Sequence, residues 1–272
     1  MYIPAQKAVC KWPRTVDPAS DAGLASFVEG LDGATRTHEG VKFVSYFVAR
    51  SEAATPNPAR AYLGATYTAT DSAAFVADAL DGDAVEVLHS EISDLDAYYE
   101  QFFRSDHHWR ALGAANAYNQ IADALGKGPL PTAVAPVEGP LYSGAYARNS
   151  LCLVTDEPTE LAYDFTDVEL SKGDIAEGGN EHALYASADV QNKHWRFYDL
   201  FYNSFATAKG TGEGRALLVC DSFGFALLRS LATGFVEVAC VNSLQATAET
   251  DQSLGELLRE SGADTVLFVG DP

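Results

Sequence analysis

Five short apolar runs, alternating with segments of helical spacing, constrain what this chain can fold into more than any other feature. The runs are residues 41–48 (VKFVSYFV), 84–88 (AVEVL), 216–220 (ALLVC), 235–241 (FVEVACV) and 265–269 (TVLFV). Such runs read as strands buried on both faces, as in a sheet sandwiched between helices. Helical patterns occupy residues 71–80, 93–103, 111–125, 225–231 and 251–260. The best defined is 111–125, with Leu112, Ala115, Tyr118, Ile121, Ala122 and Leu125 on one face. It stops at Gly126, ahead of Pro129 and Pro131. Strand–helix alternation of this kind predicts an α/β fold with a mostly parallel central sheet flanked by helices.

The rhythm breaks in the middle. After a Pro/Gly-rich stretch at 126–140, residues 141 to about 188 are rich in Thr, Tyr, Asp and Gly. Runs 151–155 and 160–165 read as short antiparallel strands or loops. The expectation is one domain over residues 1–272 with a β-rich insertion at about 141–188, lining the site.

The net charge of −20, from 38 acidic and 18 basic residues, argues against nucleic acid or an anionic membrane surface as the main partner. No stretch approaches the length of a membrane-spanning helix, and residues 1–11 lack the apolar core of a signal peptide. The chain is expected to be cytoplasmic, or to be exported by a segment it does not carry. Cys220 and Cys240 each end an apolar run and read as buried thiols. Cys10 and Cys152 are left open as a pair.

Ser222 follows the apolar run 216–220 and precedes a helical pattern, with Gly224 permitting close approach. The C-terminal edge of a parallel sheet is where α/β proteins bind ligands, and free amides at a helix N-terminus can stabilise an oxyanion. The alternative is that Ser222 caps the helix beside Asp221, since both residue types are favoured caps.

A serine needs a base to take its proton, and the base needs a carboxylate to fix its tautomer. Ser105-Asp106-His107-His108-Trp109 supplies both: Asp106 and His108, two apart in an extended turn, can project to one side. Trp109 then anchors the turn as the helix begins. The plainer reading is a helix-entry aspartate beside two partly exposed histidines. A third reading is a metal cluster of Asp106, His107, His108 and Asp221. The strand-associated Asp-x-Asp and Gly-rich motifs that accompany such clusters are absent, as are HExxH and CxxC, so neither a metal nor another cofactor is expected. His89, His182 and His194 have no evident partners. The aromatic residues Trp195, Phe197, Tyr198, Phe201, Tyr202 and Phe205 have helical spacing and read as core.

The sequence Phe103-Arg104-Ser105-Asp106-His107-His108-Trp109, with the Ala/Gly-rich helix after it, resembles the signature of the bacterial DHHW protein family. That family is related to the SGNH hydrolase-like domains of alginate and other polysaccharide O-acetyltransferases. Leu217 to Gly224 resembles the family's serine block and 235–241 its following strand. Gly144-Ala145-Tyr146 and the aromatic segment at 194–205 stand where such proteins place their middle features. The resemblance spans about residue 41 onward, and the order of its motifs is that of the permuted acetyltransferase-like group.

The resemblance implies a Ser-His-Asp triad of Ser222, His108 and Asp106, with His107 at the variable position. It implies an O-acetyltransferase or acetylesterase acting on a carbohydrate, working in the cell envelope or outside the cell. A membrane-bound acyl-donor partner is implied by the resemblance alone. After the strand at 235–241 the chain reads Asn242-Ser243-Leu244, where many relatives carry an Asp-Arg pair. Asn242 is then either an oxyanion donor or a loop residue ending the strand. The competing function is a non-catalytic carbohydrate-binding protein of the cell envelope on the same scaffold.

Overall fold

The computed structural model describes residues 2–3, 8–9, 17–51, 54, 67–80, 84–130, 135–137, 144–151, 154, 160–162, 165, 167–172, 205–243 and 252–270. A two-stranded ribbon, β1 (Tyr2–Ile3) and β2 (Ala8–Val9), precedes helix α1 (Ala22–Thr37), strand β3 (Lys42–Phe47), α2 (Ala69–Ala79) and β4 (Val85–His89). Helices α3 (Leu95–Gln101) and α4 (Ala111–Ala124) follow. Next come β5 (Ala135–Val137), α5 (Ala145–Ser150), β6 (Glu160–Ala162) and β7 (Glu169–Lys172). The last third holds β8 (Phe205–Lys209), β9 (Arg215–Cys220), α6 (Ser222–Phe225), α7 (Leu228–Gly234), β10 (Glu237–Asn242), α8 (Leu254–Ser261) and β11 (Thr265–Gly270).

The central sheet has seven strands in the order β4-β3-β11-β9-β10-β8-β7. Strands β4, β3, β11, β9 and β10 pair in parallel, and β8 and β7 add antiparallel pairings at one edge. The five apolar runs are these parallel strands, so the expected α/β architecture is the observed one.

Their uniform apolarity has a direct cause, because both faces of the sheet are covered. On β3, Phe43 and Phe47 pack with Leu24, Val76 and Val266, whereas Val44 and Tyr46 pack with Trp109, Ala115 and Leu267. Helices α1, α2 and α8 cover the first face, and α3, α4, α6 and α7 the second.

Three features differ from expectation. Helix α1 was not foreseen. The helical run at 225–231 is divided into α6 and α7, and around the junction the amides of Gly224, Ala226 and Leu227 bond three residues back. Phe205, read from its spacing as helical core, instead opens β8 and pairs with Val241. The other members of that aromatic cluster lie outside the described residues, as do His182, His194, Cys10 and Cys152. Within the segment 141–188, β7 is an edge strand of the central sheet, and β6 pairs with β5 in a separate ribbon. Among the described residues no helix is long and apolar enough to cross a membrane.

Candidate active site

Residues 105–109 form a loop held at its neck. Phe102 and Trp109 form an antiparallel bridge, Phe103 N donates to His108 O (3.1 Å) and Arg110 N to Gln101 O (2.7 Å). Trp109 is buried, tilted against Tyr46 and Phe102 and edge-on to Phe223 with centroids 5.5 Å apart. It anchors the loop against the α6 segment that carries the serine.

A second set of bonds ties the loop to the start of α5. Gly144 N donates to Ser105 Oγ (2.8 Å), Ala147 N to Ser105 O (3.1 Å), and Ala145 N to Asp106 Oδ2 (2.7 Å). Only glycine permits this approach, because a Cβ on residue 144 would stand 2.4 Å from Asp106 Cβ.

The other carboxylate oxygen, Asp106 Oδ1, accepts from His108 N (3.1 Å) and lies 2.7 Å from His108 Nδ1. His108 Nε2 lies 2.8 Å from Ser222 Oγ. An ionised carboxylate only accepts, so Nδ1 carries the proton and Nε2 is left to accept from the serine hydroxyl. Asp106, His108 and Ser222 therefore form one continuous hydrogen-bonded chain. Asp106 and His108 are 3% and 5% exposed. Burial works against the Asp106 charge, but the His108 and His107 imidazoles outweigh it and hold the carboxyl well below the usual carboxylate range.

Ser222 reaches this chain because β9 runs straight into α6. Asp221 is the cap, its Oδ1 accepting from Phe223 N at 2.9 Å. Ser222 thus occupies the first helical position with its hydroxyl turned to His108 rather than to the helix. Gly224 lets α6 lie on β9: a Cβ there would stand 2.2 Å from Cys220 Cβ. Cys220 and Cys240 beneath it are buried free thiols with sulfurs 3.6 Å apart. Burial and the neighbouring Cys240 push the Cys220 thiol well up.

No family model matches the chain, and no curated protein matches it in sequence. Solved structures do. A DHHW family protein from Eubacterium siraeum superposes with a TM-score of 0.70 at 16% identity, covering 96% of this chain and 86% of the other. The fold is that of a DHHW family protein. Bacillus cereus PatB1 bearing a sulfonyl adduct follows at 0.65, again 16% identical, with 96% and 91% covered. A second PatB1 structure gives 0.62 with 96% and 92% covered. At these identities the likeness is one of fold.

In this DHHW fold the remaining sequence-predicted residues fall as follows. His107, at the variable position of the motif, reads from the sequence as a bystander or a pocket residue, and the structure places it in the pocket wall. Its Nδ1 lies 3.0 Å from Asp106 Oδ1, off the hydrogen-bonding direction, and its ring lies 3.8 Å from that of His108. With Tyr146 and Phe223 it walls the loop. Asn242 ends β10, 4% exposed and in register with Cys220; strand alternation turns it to the face of Cys240, the side of the triad residues.

Asp106, His107 and His108 bring potential ligand atoms within 4.8 Å of one another; Asp221, the fourth residue of the cluster considered from sequence, is not among them. His89 sits away from the site, with Nδ1 3.2 Å from Ser90 O. Sequence reading missed Ser105 and the amides of Gly144 and Ala145. Ser105 was visible inside the motif and Gly144-Ala145-Tyr146 stood out by the resemblance, but nothing in the chain tied the two together across 39 residues.

Proposed function

We propose that the protein is a serine-dependent acyl-ester enzyme of SGNH type, an O-acetyltransferase or acetylesterase that acts on a carbohydrate. The observation that carries this reading is the unbroken chain from Asp106 through His108 to Ser222 Oγ. Ser222 Oγ attacks the ester carbonyl while His108 Nε2 takes its proton. The tetrahedral intermediate collapses, the leaving alkoxide takes that proton back, and the acyl group stays on Ser222. A second hydroxyl, of water or of an acceptor sugar, then loses its proton to His108 and attacks the acyl-serine. The second intermediate collapses with Ser222 Oγ as leaving group, which takes the proton back from His108 as the acetate or acetyl ester is released.

Asp106 fixes the tautomer throughout and offsets the charge of the imidazolium. The amide of Ser222 and the side chain of Asn242 are the proposed oxyanion donors. The setting is the cell envelope, with an acyl donor delivered by a membrane-bound partner.

Hydrolysis of p-nitrophenyl acetate tests the chemistry. Ser222→Ala and His108→Ala are each expected to reduce turnover at least roughly a thousandfold. A sulfonyl fluoride is expected to label Ser222 in the native protein and to label the His108→Ala variant slowly. Equal turnover in all three proteins overturns the mechanism.

A further inference from the structure

On the face of the sheet opposite His108, at the C-terminal edge of the parallel strands, lies a cavity of about 480 Å³, within the range of roughly 300–1,000 Å³ usual for small-molecule sites. Its walls follow from register. Ser45, Phe268 and Val219 stand in one row across β3, β11 and β9, and Phe47 and Gly270 in the next. Gly270 has no side chain to fill its place. The Asp221 carboxylate lies over it instead, with Oδ2 3.0 Å from where a Cβ would be. The first turns of α1 form the opposite wall, with Asp21 at the rim and Phe27 inside. Phe27 is edge-on to Phe47 and Phe268, at 6.2 and 5.5 Å.

Three observations fix the chemistry of an occupant. Two carboxylates line the cavity, and among the described residues no lysine or arginine does. Asp21 Oδ1 accepts from Gly23 N and Leu24 N, at 2.9 and 3.1 Å, and Oδ2 accepts from the Tyr67 hydroxyl at 3.0 Å. The positive end of α1 is thus already offset, the rim does not favour an anion, and a cation would add to these bonds rather than replace them. The Ser45 hydroxyl, on a residue 2% exposed, lines the cavity and has no hydrogen-bond partner among the described residues. Opening onto the cavity, that hydroxyl can hydrogen-bond to water or to a polar ligand atom. Around these groups stand aromatic rings, which attract cations as well as apolar chains. The net charge of −20 raises the local concentration of cations further.

We propose that this cavity binds an organic ammonium: an N–H-bearing cation with a short apolar body, its head group near Asp21, Asp221 and Ser45 and its body among Phe27, Phe47 and Phe268. The site is separate from the Ser222 chemistry and does not depend on it. Asp221 and Ser222, adjacent in sequence, turn to opposite faces of the sheet.

Titration calorimetry with n-hexylammonium, hexanol and hexanoate on the full chain tests the assignment. Hexylammonium is expected to bind saturably at one site and to raise the melting temperature; hexanol and hexanoate are not. Asp21→Asn, which retains the helix cap, is expected to weaken binding about tenfold or more, the size of one lost charge-assisted contact. Leu24→Trp, which fills the cavity, is expected to abolish binding, whereas Ser222→Ala leaves it unchanged. Should the tryptophan variant fail to fold, crystals grown with 5-bromopentylammonium locate the bromine directly. Equal affinity for hexanol and hexylammonium, no saturable binding, or a bromine peak outside the cavity each overturns the proposal.

Discussion

A carboxylate taken out of water loses several kcal/mol of hydration unless its oxygens are matched, and Asp106 is matched on both. Oδ2 meets the Ala145 amide; Oδ1 meets the His108 amide and imidazole. Because the folded carboxyl is held below its unfolded value of about 3.9, ionised Asp106 contributes stability that is fully present above that value. The contribution is lost as pH falls through the folded value. Denaturant titrations from pH 7 downward are therefore expected to show stability falling below about pH 4 in the native protein. Asp106→Asn, which cannot ionise, is expected to flatten that limb.

Legibility at this scale was uneven. Asp106, His108 and Ser222 could be picked out because acid–base chemistry demands those residue types in that relation. The backbone amides that satisfy Asp106 carry no side-chain signature and could not be read from the sequence.

Among the elements, α6 is the most tightly specified. It is one turn long, too short to be stable by itself, and owes its position to the Asp221 cap and to close packing of Gly224 on Cys220. Gly224→Ala places a methyl group inside the Cys220 side chain, an overpacking that typically costs about 1–3 kcal/mol. The expected result is a lower midpoint in urea together with a fall in ester turnover, as Ser222 is displaced from His108. A loss of stability with turnover unchanged would mean that α6 moves as a unit without disturbing the Ser222 hydroxyl.

The elements not foreseen are those whose signal is local and weak. In α1, Leu24, Leu31 and Ala34 are buried at helical spacing, but three glycines, 23, 30 and 33, lower the helix propensity of the run and mask it. Strand β8 alternates intermediate and buried residues whose buried members are alanines, too small to mark a period.

For the molecule as a whole, an excess of 20 negative charges means that compaction brings like charges together. Salt screens that repulsion, with a Debye length shrinking from about 10 Å at 0.1 M to about 3 Å at 1 M. The melting temperature is expected to rise by several degrees across that range of sodium chloride, followed by circular dichroism. A flat response would mean that acidic residues are dispersed widely enough not to repel.

The parallel sheet was legible because five runs had to be buried on both faces, whereas its strand order was not, since order depends on which crossover passes over which face. That order has a consequence for how the protein is made. Strand β11 follows every other described strand in the chain yet lies between β3 and β9. A ribosome will have released β3 and β4, and later β9 with Ser222, before the strand that joins them exists. Until residues 265–270 emerge, the two halves of the sheet expose open inner edges that can find each other or a neighbouring chain. The sheet can therefore close only once residues 265–270 are in place, so β11 is the strand that joins its two halves.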